Sequence, residues 1–196
     1  MNRAVKPGFA PTILAALLAV TGFWPATPAR TSESMLDSLE WKLELYRHEK
    51  LADIKHNQDN TLAPFTTDGC SGGLSIGWNH LAAAVEHIKE IHGDSPPWDD
   101  CCVTHDRAYH TAGPRACSPE DSFRARKTAD EQLRQCVIDT AAQRAPELSD
   151  AYGLSPEEVT RIYSVIGSLM YRAVRLGGVP CSGLPWRWGY GWPECE

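Results

Sequence analysis

The chain has 196 residues, 42% of them hydrophobic, and a formal charge of −6, which suits one domain with a real core and leaves two crowded. The acidic balance argues against a nucleic-acid partner, which needs a basic face. It also gives no electrostatic help toward an anionic membrane, so any membrane contact must rest on apolar or aromatic groups.

Met1 to Thr12 carries Arg3 and Lys6 without an acid, and Ile13 to Trp24 is an apolar run of 12 residues. That run falls short of the about 20 apolar residues a bilayer span needs, and Thr27-Pro28-Ala29 offers small residues for cleavage. Residues 1–29 are therefore expected to be a cleaved signal peptide and the product to be secreted or periplasmic, with residues 30–196 as a single domain. Removing the segment takes the formal charge from −6 to −8. All seven cysteines, at 70, 101, 102, 117, 136, 181 and 195, lie in the remainder, where export favours disulfides. Their spacing leaves the pairing open, and an odd number leaves at least one unpaired or bridged to another chain.

Ser32 to Lys55 places Leu36, Leu39, Leu43 and Tyr46 at helical spacing between charges, which predicts an amphipathic helix with that stripe in the core. Asn57 to Asn60 and Pro64 mark a loop, and in Thr67-Asp68-Gly69-Cys70-Ser71-Gly72-Gly73 glycines free the backbone to bend carbonyls inward. Asn79 to His92 reads as a short helix through Leu81, Val85, Ile88 and Ile91, ended at Gly93. The next helix starts near Trp98 and stops at Gly113-Pro114. Ser118-Pro119-Glu120-Asp121 caps a long helix toward Ala142. Ser155-Pro156-Glu157-Glu158 carries a capping box that opens a helix ending at Gly177-Gly178. No strand alternation is present, so an all-α domain is expected. Trp186, Trp188, Tyr190 and Trp192 lie between Cys181 and Cys195, implying a disulfide-closed aromatic loop that packs on the helices as a lid rather than anchoring in a membrane.

At 100° per residue, Trp98, Cys101, Cys102, His105, Tyr109 and Ala112 share one helix face, with Asp106 on its flank. A lone inward histidine is usually a satisfied core residue, but three features point elsewhere. Asp106 is an acid that is costly to hide without partners. Asp130 lies on the stripe of Phe123, Leu133 and Val137, so a second acid faces the core with no evident base near it in sequence. The loop at Asp68 can bring oxygen ligands. Asp130 could accept one imidazole N–H of His105, fixing the tautomer and leaving the other nitrogen to take a proton. Asp106 would then be free to bind a metal, and oxygen donors suit Ca²⁺ rather than Zn²⁺.

The string Cys101-Cys102-Val103-Thr104-His105-Asp106-Arg107-Ala108-Tyr109 resembles the catalytic helix of secreted phospholipases A2, and Thr66 to Ser71 looks like the calcium loop of their bacterial and fungal members. The resemblance spans about residues 65–140. It implies a fold with two antiparallel catalytic helices, the N-terminal helix and aromatic tail being additions. It implies His105 as the base, Asp130 as its orienting carboxylate and Tyr109 as a hydrogen-bond partner of Asp130. Asp106, Asp68 and the Gly69 carbonyl would bind Ca²⁺. It further implies disulfides Cys70–Cys102 and Cys101–Cys136, which leaves Cys181 with Cys195 and Cys117 over. The animal enzymes bridge two positions that are here Ala108 and Ala129, both partners being lost together. The expected reaction is calcium-dependent hydrolysis of the sn-2 ester of a phospholipid at a membrane or micelle surface. The alternatives are an inactive secreted lipid- or protein-binding module on the same fold, a metal-dependent phosphohydrolase using His80, His87, His92 or His110, and a zinc site at Cys101, Cys102 and His105. The sequence sets no oligomeric state.

Overall fold

The computed structural model describes residues 30–70, 95–113 and 118–195. The expected signal peptide, the expected helix at 79–92, the glycines at 72 and 73, and Cys117 lie outside the described residues. Among the described residues four helices follow in chain order: α1 Arg30–His56, α2 Asp99–Thr111, α3 Pro119–Tyr152 and α4 Pro156–Gly177. Among the described residues there is no strand, and no helix is long and apolar enough to cross a membrane. Cysteines pair as Cys70–Cys102, Cys101–Cys136 and Cys181–Cys195. The all-α, disulfide-linked class is therefore as expected.

The local signals at the helix ends act as read. Asp99 and Asp100 in the first turn of α2 complement its dipole, and Ala112 and Gly113, at φ 54° and 69°, close its end. Ser118 Oγ accepts from the Asp121 N–H at the start of α3, and Ser155 and Glu158 form the reciprocal capping box of α4. Helix α3, however, runs past Ala142 to Tyr152 with Pro146 inside it. An interior proline forfeits a hydrogen bond and crowds the preceding turn. Here Ala145 and Leu148 are buried with Ala141, Val159 and Tyr163 in the core between α3 and α4, and that burial holds the added turns.

The partners of α2 and α3 run in opposite order, Cys101 with Cys136, His105 with Asp130 and Tyr109 with Arg126, so the two helices are antiparallel. Helix α4 covers α3 on its Val159, Tyr163, Gly167 and Met170 face. The closest approach is at Gly167, where a Cβ would sit 2.9 Å from the Arg134 carbonyl oxygen. Gly167→Ala is expected to destabilise the protein by about 1–2 kcal/mol, because forcing the helices apart outweighs the helix-propensity gain. A urea midpoint equal to or above that of the wild type would contradict this.

Helix α1 corrects the sequence reading. Leu39, Leu43 and Tyr46 are 54%, 71% and 65% exposed, while Glu44, His48 and Leu51 are buried; the side chain of Leu36 lies outside those described. The inward face is polar because α3 and α4 supply its partners. Trp41 and His48 pack edge-on against Phe123, His48 Nδ1 shares a 2.8 Å hydrogen bond with Ser122 Oγ, and Glu44 pairs with Arg126 and Arg175. A paired buried charge is tolerated where an unpaired one is not, so the register follows the charges and leaves the leucines outside.

The aromatic tail packs on the helices. Trp188 is fully buried, edge-on to Tyr109 at 5.0 Å, and its indole N–H donates to Ser122 Oγ at 2.9 Å. Trp192 Nε1 donates to the Thr111 carbonyl at 3.1 Å. Trp186 is 53% exposed.

Candidate active site

The structure brings three of the expected residues into one hydrogen-bonded group. His105 Nε2 lies 2.8 Å from Asp130 Oδ1, and the Tyr109 hydroxyl donates to the same oxygen at 2.7 Å. Asp130 is fully buried and His105 nearly so. With the Asp130 carboxylate accepting Nε2–H, the tautomer that fits leaves Nδ1 as the acceptor. Nδ1 faces the Asp106 side, 3.9 Å from its Oδ1. Burial pushes the His105 imidazole down, but Asp106 and Asp130 outweigh it through hydrogen bonding and charge, holding it above the ordinary histidine range. An opening of about 40 Å³ adjoins it, lined by Thr104, His105, Ala108, Ala129 and Gln132 among others. That is room for about one water. Ala108 and Ala129, the two positions where the resemblance implies a lost disulfide, thus line the same opening beside His105.

Sequence reasoning missed what holds Asp130. Its second oxygen accepts from Arg175 Nη1 at 3.1 Å, and Arg126 Nε lies 4.0 Å away. Behind these stands α1: Arg175 Nη2 donates to Glu40 at 2.7 Å and lies 3.4 Å from Glu44, and Arg126 Nη1 donates to Glu44. Arg126 also donates to the Val174 and Arg175 carbonyls at 2.9 and 2.6 Å, tying α3 to the last turn of α4. Burial pushes the Glu44 carboxyl up. The hydrogen bond from His48 and the charges of Arg126 and Arg175 more than reverse this and hold it below the ordinary carboxylate value. Arg126 could have been found, since it sits one turn before Asp130 on the same stripe. Arg175 carried no such signal.

The loop residues reach the other side of His105. Thr67 Oγ1 donates to Asp106 Oδ2 at 2.6 Å and accepts from the Gly69 N–H at 3.0 Å. Gly69 has φ +64°, and a Cβ there would meet the Asp99 carboxylate at 2.5 Å, so only glycine suits the turn. Asp99, another residue the sequence reading missed, anchors the loop by accepting from the Cys70 N–H at 3.0 Å. Asp68 is exposed. Its charge and that of Asp106 both bear on Tyr190, whose hydroxyl is pushed up to about 12 by burial, then by Asp106 and Asp68.

Among the described residues no three His, Cys, Asp or Glu side chains cluster as a metal site; Cys101 and Cys102 of the zinc alternative are held in disulfides, and His80, His87 and His92 of the phosphohydrolase alternative lie outside the described residues. The side-chain donors that the loop and the adjoining turn of α2 offer, Asp68 and Asp106, are carboxylates, and Thr67 ties the loop to Asp106. Oxygen donors of this kind are chemically suited to a hard ion such as Ca²⁺ and poorly suited to Zn²⁺.

Comparison with protein-family models, with curated proteins and with solved structures finds no match for the chain.

Proposed function

We propose that the chain is a secreted or periplasmic, calcium-dependent hydrolase of the phospholipase A2 type, releasing the sn-2 fatty acid from a glycerophospholipid and leaving a lysophospholipid. The observation that carries this is the 2.8 Å bond from His105 Nε2 to buried Asp130, with the free Nδ1 on the side of Asp106 and the loop. It is the arrangement a histidine needs to act as a base with a fixed tautomer.

In this reading His105 Nδ1 removes a proton from water as its oxygen attacks the ester carbonyl carbon. Asp130, braced by Tyr109 and Arg175, stabilises the imidazolium that forms. The imidazolium returns its proton to the glycerol oxygen as the acyl carbon–oxygen bond breaks, which frees the fatty acid and the alcohol. Ca²⁺, held by Asp106, Asp68 and the Gly69 carbonyl, would polarise the ester carbonyl and favour negative charge on its oxygen. No serine nucleophile is required. The test is fatty-acid release from mixed phospholipid vesicles. It is expected with calcium, to stop on chelation and to return on adding calcium back; release insensitive to chelation would remove the metal from the account.

A further inference from the structure

We infer that the aromatic tail is part of the metal site, Tyr190 being a positioning residue that holds the segment carrying Asp68 against the helix carrying Asp106. The inference rests on the calcium reading above and adds to it a region outside the resemblance.

The two carboxylates have different supports. Asp106 stands on α2, which Cys101–Cys136 ties to α3. Asp68 stands on irregular chain, fixed on its C-terminal side by Cys70–Cys102 and by the bond from the Cys70 N–H to Asp99. On its N-terminal side the tail holds it. The Tyr190 hydroxyl donates to the Thr66 carbonyl at 2.7 Å, and the Ala63 N–H donates to the Gly191 carbonyl at 2.8 Å. The next residue, Thr67, donates to Asp106 itself.

The tail in turn is fastened to the end of α2. The last carbonyls of a helix have no partner within it. Here the Gly189 N–H donates to the Tyr109 carbonyl at 2.7 Å, the Gly191 N–H to His110 at 3.2 Å, and Trp192 Nε1 to Thr111 at 3.1 Å. The approach is close enough that a Cβ on Gly191 would lie 2.5 Å from the His110 ring. The ring of Tyr190 packs edge-on to His110 at 5.1 Å. One side chain thereby bridges the helix end to the loop, and in this reading the tail, together with Thr67 and Cys70–Cys102, fixes where the segment of Asp68 stands relative to α2.

Calorimetric titration of calcium into the chelator-stripped full chain tests this, in four proteins: wild type, Tyr190→Phe, Thr67→Val and the double variant. Tyr190→Phe removes one hydroxyl and keeps the ring on His110. It should raise the calcium Kd roughly 10-fold, the low end for partners that orient metal ligands, with unchanged thermal stability in chelator. Thr67→Val should show a similar loss, and the double variant little more than either alone, because both hydroxyls fix one segment. Trp186→Ala, in the same tail but exposed, should bind as the wild type does. A Tyr190→Phe Kd equal to the wild type's, or losses that multiply fully in the double variant, would overturn the inference and leave the calcium reading standing. A wild-type chain that takes up no calcium would end both.

Discussion

Replacing His105 with glutamine is expected to lower calcium-dependent fatty-acid release by roughly 10³-fold or more while leaving the fold intact, since a positioned general base contributes about 10²–10⁴-fold and acts as a unit with its orienting acid. The glutamine amide can still donate to Asp130, so the buried carboxylate keeps a partner where His105 Nε2 now lies at 2.8 Å. What it loses is the basic nitrogen on the Asp106 side. Asp130→Asn should fall in the same direction, because an amide no longer fixes Nε2–H or steadies an imidazolium. The check is initial rate against vesicles, alongside calcium affinity and thermal unfolding. His105→Gln activity within a few-fold of the wild type, with unaltered calcium affinity, would mean that some other group activates water.

The second large effect is on stability and lies in α1. Glu44→Gln should cost about 3 kcal/mol, the range for removing one partner of a buried ion pair, because it leaves Arg126 and Arg175 short of charge next to Asp130. The sign with pH follows from the depressed Glu44 carboxyl. Its stabilising contribution is fully present above the ordinary value of 4.5 and is lost as the pH falls through its lower folded value. The gap in unfolding free energy between wild type and Glu44→Gln should therefore be open at neutral pH and close in acid below 4.5. His48, buried beside it and held below the ordinary histidine range by that burial although Glu44 raises it in part, loses more stability in acid in Glu44→Gln than in the wild type, so the Glu44 charge is read from the closing of the gap below pH 4.5, where Glu44 itself titrates. A gap that stays constant from pH 7 to pH 3 would show that Glu44 contributes no charge to the cluster.

These two predictions mark what could and could not be read from the chain. The segment from Cys101 to Tyr109 was legible because helix geometry alone turns His105 and Tyr109 to one face, and the caps at Ser118 and Ser155 are local chemistry within four residues. Asp130 was legible as an inward acid, and Arg126 one turn before it was open to the same reasoning, but its closer cation was not. Arg175 is 45 residues away, and the Glu44 partners lie 82 and 131 residues away. The register of α1 was misread for the same cause. Periodicity assigns the core to Leu39 and Leu43, yet the arginines waiting on α3 and α4 give Glu44 and His48 the better burial. Helix α3 runs past Ala142 because the packing of Ala145 and Leu148 outweighs the local cost of Pro146. Tyr190 was grouped with the tail's tryptophans, and nothing in its neighbours tells of the carbonyl it reaches at Thr66.

The central claim is that His105, oriented by Asp130, activates water for a calcium-dependent attack on an sn-2 ester. Phospholipid labelled differently in its two acyl chains tests metal, reaction and position together. The account predicts that only the sn-2 fatty acid is released, that release ceases in chelator, and that His105→Gln releases neither chain. Release of both chains, of the sn-1 chain, or of any chain at an unchanged rate in chelator would contradict it.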